Sequence, residues 1–183
     1  TRSGKIIAED IYGGEGDDIY IINDADLALG EYTNGGIDTV KSTVSYSLGF
    51  EFEKLTLIGN ADADGVGNSL GNVLTGNAGD NKLIGFGGED ALYGGRGRDR
   101  LTGGDQVDLF GFTRGDGQDV IADFVDNYDI ISLDGFKGVH DVDDLDGKIT
   151  QHGKNVVIDF GHGDRLTIEN ADATKMDLYD FLI

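Results

Sequence analysis

At 183 residues the chain has the length of one domain or one short repeat array, which argues against a two-domain enzyme of ordinary size. Its 31 glycines, with no proline, no triplet period and 38% hydrophobic residues at regular spacing, exclude collagen and speak against simple disorder, leaving repetitive β structure. A formal charge of −21, from 35 acidic against 14 basic residues, excludes nucleic acid as a partner and makes a compact fold repel itself unless cations are bound.

In chain order, the first residues, Thr1, Arg2, Ser3 and Gly4, carry no charged-then-apolar leader, so export would need another signal. No apolar run reaches bilayer length, and no transmembrane segment is expected. Gly13 to Ile21 reads GGEGDDIYI, and the apolar IYII around Tyr20 predicts a strand. Turn signals follow at Asn34, Gly35 and Gly36, and GIDTV from Gly36 to Val40 offers Asp38 as an oxygen donor. TVKSTVSYSL, from Thr39 to Leu48, reads as longer strand structure.

From Gly67 the sequence acquires a period of nine, with glycine at 67, 76, 85, 94 and 103. Counting each glycine as column one, the eighth column is apolar throughout: Leu74, Leu83, Leu92, Leu101 and Phe110. The sixth column carries oxygen donors: Asn72, Asn81, Asp90, Asp99 and Asp108. An apolar ladder and an oxygen ladder therefore run in phase. GDGQDVI, from Gly115 to Ile121, places Asp119 in the oxygen column beyond a small irregularity. DVIADF, DIISL, KITQ, NVVIDF and RLTIEN then read as short strands of an antiparallel cap, in which Val156, Ile158 and Phe160 alternate as one buried face. The expected organisation is an N-terminal extension over 1–66, a repeat array over 67–122 and a C-terminal cap over 123–183.

The residue types suit a hard cation. Calcium takes six to eight oxygens at about 2.3–2.6 Å, so carbonyls from tight turns plus aspartates are apt ligands, and glycine permits those turns. Without cysteine there are no disulfides or thiolate sites, and calcium is the natural staple.

GGRGRDRLT, from Gly94 to Thr102, fits G-G-x-G-x-D-x-U-x throughout, as does GGEGDDIYI. On these motifs the sequence resembles the RTX, or haemolysin-type calcium-binding, family, strictly over residues 67 to 111. The resemblance implies an all-β fold, a right-handed parallel β-roll with two turns per coil, so that neighbours on one side are eighteen residues apart. It would pair Asn72 with Asp90, Asn81 with Asp99, and Asp90 with Asp108 around roughly three or more shared calcium ions. Carbonyls of Gly76, Ala78, Gly85, Gly87, Gly94, Arg96, Gly97 and Gly103 would complete the shells, with Asp18 and Asp119 as further ligands. The departures are uncharged Asn72 and Asn81, Phe86 at the second column, and Leu70 and Gln106 at the fourth. They predict weaker end sites or metal-free capping turns. The terminal Asp180, Phe181, Leu182 and Ile183 are similar to C-terminal signals read by the type I secretion machinery, against the alternative of a docked strand. The implied protein is the extracellular, C-terminal part of a longer bacterial chain with an upstream domain.

No catalytic residue is expected. Gly67 to Gly71 spells G-x-S-x-G around Ser69, but it lies in register with the repeats and no helix follows. Asn60, Asp62 and Asp64 begin like an EF-hand loop, whose twelfth position is Gly71 rather than glutamate. His140, His152 and His162 lack metal-site spacing, and the pairs Asp17–Asp18 and Asp143–Asp144 are ordinary for so acidic a chain. Arg96, Arg98 and Arg100, with Arg114 nearby, form a basic cluster. Its run resembles repeat modules of mannuronan epimerases, which implies contact with an anionic, alginate-like polysaccharide, as in an enzyme accessory module or an adhesin. Local balancing of carboxylates is the alternative.

Overall fold

A computed structural model describes residues 11–32, 35–136 and 139–183. The chain winds back and forth between two eight-stranded sheets, because each turn of the repeat supplies one short strand and then reverses direction. β1 (Ile11–Tyr12) and β3 (Leu29–Gly30) pair with each other outside these sheets. The first sheet receives β2 (Ile19–Ile22), β4 (Thr39–Ser42), β6 (Lys54–Leu57), β8 (Val73–Thr75), β10 (Ala91–Tyr93), β12 (Leu109–Thr113) and β14 (Ile130–Gly135), stacked in chain order. Opposite them lie β5 (Tyr46–Ser47), β7 (Gly65–Val66), β9 (Lys82–Gly87), β11 (Arg100–Asp105) and β13 (Gln118–Ile121). Every one of these pairings is parallel, which makes the fold a parallel β-roll. No α-helix occurs among the described residues, and none is long and apolar enough to cross a membrane.

Register follows the repeat. Val73 pairs with Ala91, Ala91 with Leu109, and Lys82 with Arg100, each eighteen residues on. Strand alternation turns the eighth column inward, and Leu74, Leu83, Leu92, Leu101 and Phe110 are all fully buried. Each such side chain contributes roughly 1.5–3 kcal/mol of burial, and one cluster runs from Tyr20 to Phe181.

The structure corrects two strand expectations. TVKSTVSYSL is not one long strand but β4 and β5 on opposite sheets. Buried Ser42 turns the chain between them, its hydroxyl donating to the Val44 carbonyl at 2.6 Å and accepting from the Val44 N–H at 3.1 Å. The stretches DVIADF and DIISL belong to the parallel stack as β13 and β14 rather than to the cap, so the roll continues past the irregularity. The antiparallel cap is β15 (Ile149–His152), β16 (Asn155–Gly161) and β17 (Asp164–Ile168), with β17 added in parallel to β13. Val156 and Ile158 are fully buried there, and Phe160 stacks on Phe136 at 4.2 Å. β18 (Phe181–Leu182) closes the other sheet beside β14, so the chain's last residues form a docked strand. The first ten residues and Asn34 lie outside the described residues.

Candidate metal centre

Each sixth-column residue sits just before its strand, where the chain leaves the turn. Its backbone N–H is aimed along the stack, and the acid one coil further on accepts it. Asn72 N–H donates to Asp90 Oδ1 at 2.6 Å, Asp90 N–H to Asp108 Oδ1 at 3.0 Å, and Asp108 N–H to Asp129 Oδ1 at 3.0 Å. On the other side, Asn81 N–H donates to Asp99 Oδ1 at 2.8 Å and Asp99 N–H to Asp119 Oδ1 at 2.9 Å. The three residue pairs expected from the eighteen-residue interval are thus all brought together.

These bonds use only one oxygen of each central carboxylate. Oδ2 of Asp90, Asp99 and Asp108 is buried and has no hydrogen-bond partner in the protein, although the residues are 2%, 1% and 1% exposed. A buried, unpaired anionic oxygen is costly, and its recurrence on both sides of the roll points to cations as the partners. The first-column glycines leave the room. A side chain on Gly85 would overlap Asp90 Oδ2 and the Gly103 carbonyl, one on Gly94 would overlap Asp99 Oδ2, and one on Gly103 would overlap Asp108 Oδ2. At Gly85 a carboxylate oxygen and the carbonyl of the next coil approach the same place, and an all-oxygen donor set fits calcium. Burial pushes Asp90 up to about 7, Asp99 and Asp108 to about 6, and Asp119 to about 8, against the lowering effect of the backbone N–H groups they accept.

The ends of the ladders differ from their centres. The side-chain amides of Asn72 and Asn81 are occupied by protein: each oxygen accepts a turn N–H, from Asn68 at 2.7 Å and Asn77 at 2.8 Å. Each nitrogen donates to a carbonyl, of Phe52 at 3.0 Å and Ala63 at 2.8 Å. Asp129 closes the far end with both oxygens used, by Asp108 N–H and by Val125 N–H at 2.8 Å. Asp129 escapes a reading of the sequence because it lies twenty-one residues after Asp108 rather than eighteen. The first ladder also reaches back toward the N-terminus, where Asp18 N–H donates to Asp38 Oδ1 and Asp38 N–H to Glu53 Oε2, both at 2.8 Å. Neither Glu53 nor Glu31, which lies beside Asp18 and Asp38, stands at a repeat interval.

Among the expected carbonyl donors, Gly85, Gly94 and Gly103 face the glycine of the preceding coil on the same side, across from Gly67, Gly76 and Gly85. Ala78, Gly87 and Arg96 lie in or beside the turns, and the Gly97 carbonyl accepts Gln118 N–H at 3.1 Å. Of the arginines, Arg98 and Arg100 line one groove with Arg165. Arg100 makes a two-bond ion pair with Glu169 at 2.9 and 2.8 Å, and Arg114 lies over Phe136 at 5.7 Å, while Arg96 and Arg98 are exposed on a turn. Ser69 and the three histidines are exposed. Asp62 and Asp64, the EF-hand-like pair, instead accept Asp80 N–H at 2.9 Å and Lys82 N–H at 3.2 Å.

The family described as RTX calcium-binding nonapeptide repeat matches in four copies, over residues 9–21, 66–101 and 84–121. Two curated proteins of Rhizobium meliloti (strain 1021) are similar along most of the chain. Endo-1,3-1,4-beta-glycanase EglC is 40% identical over 169 residues, and Endo-1,3-1,4-beta-glycanase ExsH is 35% identical over 170. Both alignments take in 92% of this chain but 34% of the relative, so the chain spans about a third of the length of the relatives it matches. Among solved structures, the extracellular lipase LipA from Serratia marcescens shares the fold, with a TM-score of 0.58 at 15% identity over 96% of this chain and 38% of that one. With the glycine columns, the aspartate ladders and the parallel coils in agreement with these matches, the chain carries RTX calcium-binding nonapeptide repeats over residues 9–21 and 66–121.

Proposed function

We propose that the chain is a non-catalytic module which calcium folds, with Asp90, Asp99 and Asp108 as its central charged ligands and Asp119 beside them. Turn carbonyls such as those of Gly85, Gly94 and Gly103 complete the shells. The observation that carries this reading is the file of buried carboxylate oxygens that no protein group satisfies. In a compartment poor in calcium the acidic repeats repel one another and remain unfolded, the state a type I secretion channel can pass. Outside the cell, calcium at roughly 10⁻⁴–10⁻³ M saturates sites of this class, and its binding free energy becomes folding free energy. The names of the rhizobial relatives fit a module that exports and stabilises a larger secreted enzyme acting on polysaccharide. The test is far-UV circular dichroism of the metal-free chain titrated with calcium, with magnesium as control. Cooperative strand signal near millimolar calcium supports the reading, and a spectrum indifferent to calcium overturns it.

A second reading, an accessory polysaccharide-binding module, is favoured by the shallow groove outside the second sheet, where Arg98, Arg100, Gln118, Arg165 and Thr167 line one face. Affinity electrophoresis in mixed-linkage β-glucan and in alginate separates the two readings. Retardation that Arg98→Ala abolishes supports it, and unchanged mobility in both gels removes it.

A further inference from the structure

The turns that follow β5, β7 and β9 stack on one another along one side of the roll, and each exposes an apolar side chain: Phe50 at 84%, Leu70 at 36% and Phe86 at 58%. Asn68 ties the first two turns together, its amide nitrogen donating to the Gly49 and Phe52 carbonyls at 2.8 Å each, while its Oδ1 accepts Leu70 N–H at 2.8 Å. Gly87 N–H donates to the Asn68 carbonyl at 3.4 Å and joins the third. Among the described residues, the opposite turns, after β6, β8, β10 and β12, expose no large hydrophobic side chain. The strip is therefore a property of this side of the roll and not of the repeat in general.

Phe86 carries the argument. It stands in the second repeat column at φ 84°, where the next turn of the same side has Gly104 at φ 113°. An exposed apolar ring held in a backbone conformation suited to glycine costs the fold on both counts, so the reason for it lies in what the ring meets outside the chain. Successive turns advance by the strand spacing, about 4.8 Å, which sets Phe50 and Phe86 roughly 10 Å apart along the roll axis. In an extended β-linked glucan each flat, equatorially substituted sugar advances the chain by a similar length and presents an apolar C–H face to an aromatic ring. Glu89 and Asp105, exposed beside Phe86, repel an anionic glycan or an anionic membrane surface. We propose that Phe50, Leu70 and Phe86 form a binding strip for an uncharged β-linked glucan lying along the roll axis. Alternate sugars meet the two phenylalanines and the sugar between them lies over Leu70. The proposal rests on the polysaccharide-binding reading above, and it assigns the contact to this side of the roll instead of the arginine groove.

The test is affinity electrophoresis of the full chain in calcium-containing gels of mixed-linkage β-glucan, with Phe86→Gly, Phe50→Ala and Arg98→Ala run beside it. The glucan should retard the parent and Arg98→Ala alike, and each phenylalanine variant should bind severalfold more weakly. Phe86→Gly should lose this binding while melting no lower than the parent, a combination that a purely structural role for the ring would not give. Phenylalanine variants retarded as strongly as the parent would overturn the strip; if Arg98→Ala alone is released, polysaccharide binding stands and belongs to the groove. A parent that no β-glucan gel retards would overturn the strip, and one that alginate also leaves unretarded would overturn the polysaccharide-binding reading with it. Sedimentation with neutral phosphatidylcholine vesicles, lost in both phenylalanine variants and without retardation by glucan, would reassign the strip to a membrane and overturn the proposal.

Discussion

Calcium and protons should compete for the same fold. Asp90, Asp99, Asp108 and Asp119 are pushed by burial from 3.8 to about 7, 6, 6 and 8. Each tenfold rise in a carboxyl's proton affinity corresponds to about 1.4 kcal/mol, so holding all four ionised in the metal-free fold costs roughly 15 kcal/mol. That matches or exceeds the whole stability of a typical domain, about 5–15 kcal/mol. Because the folded values lie above the unfolded one, the metal-free fold keeps its stability below about pH 4 and loses it as pH rises through 6 to 8. With calcium the sign reverses: the ion needs the carboxylates deprotonated, so its apparent affinity falls as the medium is acidified from about pH 8 through 6. The assay is far-UV circular dichroism in chelator across roughly pH 4.5 to 8.5, repeated at each pH with a calcium titration. Strand signal should decline with rising pH in chelator, and calcium should restore it most effectively at the alkaline end. A metal-free spectrum equally strand-rich at about pH 8 and about pH 5 would refute the argument, since it would mean that the buried oxygens carry no such cost.

Four substitutions probe separate parts of the design. Asp90→Asn keeps the acceptor for Asn72 N–H but removes a charge from the cage, so the calcium midpoint of folding should rise severalfold and the transition should lose steepness. Gly85→Ala puts a methyl group against Asp90 Oδ2 and the Gly103 carbonyl; it should destabilise the calcium-bound fold by about 1–3 kcal/mol in urea melts, where a neutral result would contradict the close approach. Phe86, 58% exposed at φ 84°, occupies a conformation suited to glycine, and Phe86→Gly should raise stability by about 0.5–1 kcal/mol, read in the same melts. Leu92→Ala empties a fully buried step between Leu74 and Phe110 and should cost about 2–5 kcal/mol, read as a fall in melting temperature at saturating calcium.

Between Gly67 and Gly111 the fold is legible in the sequence because each turn has the same length there. A constant nine residues puts every first-column glycine, every sixth-column oxygen donor and every eighth-column apolar side chain at the same place in the coil, and the eighteen-residue pairing follows. Within this span the sequence also flags where strain is tolerated, since Phe86 and Gln106 adopt the positive φ that glycine would have taken. The glycines themselves divide by task. Those at 67, 76, 85, 94 and 103 are required by the approach of an oxygen alone, whereas Gly95, Gly97 and Gly104 combine such an approach with positive φ. Composition alone cannot tell these two demands apart.

Outside that span the turns vary in length, and a fixed period no longer finds the ligands. Ladder bonds along one side join residues 20 and 15 apart before Asn72 and 18, 18 and 21 apart from it onward, so Asp38, Glu53 and Asp129 fall out of any nine-residue column. What persists is the phase between acid and core. Asp38 precedes Val40 by two residues, Glu53 precedes Leu55, Asp119 precedes Ile121 and Asp129 precedes Ile131, and each of those apolar side chains is at most 1% exposed. Strand alternation fixes that two-residue offset: at β4, β6 and β14 the inward residue is the second of the strand and the acid closes the turn before it, while Asp119 and Ile121 both lie within β13. Turn length is free to drift; the offset is not. Glu31 obeys neither rule, since it belongs to a connection rather than to a coil, and only the folded chain brings it to Asp18 and Asp38.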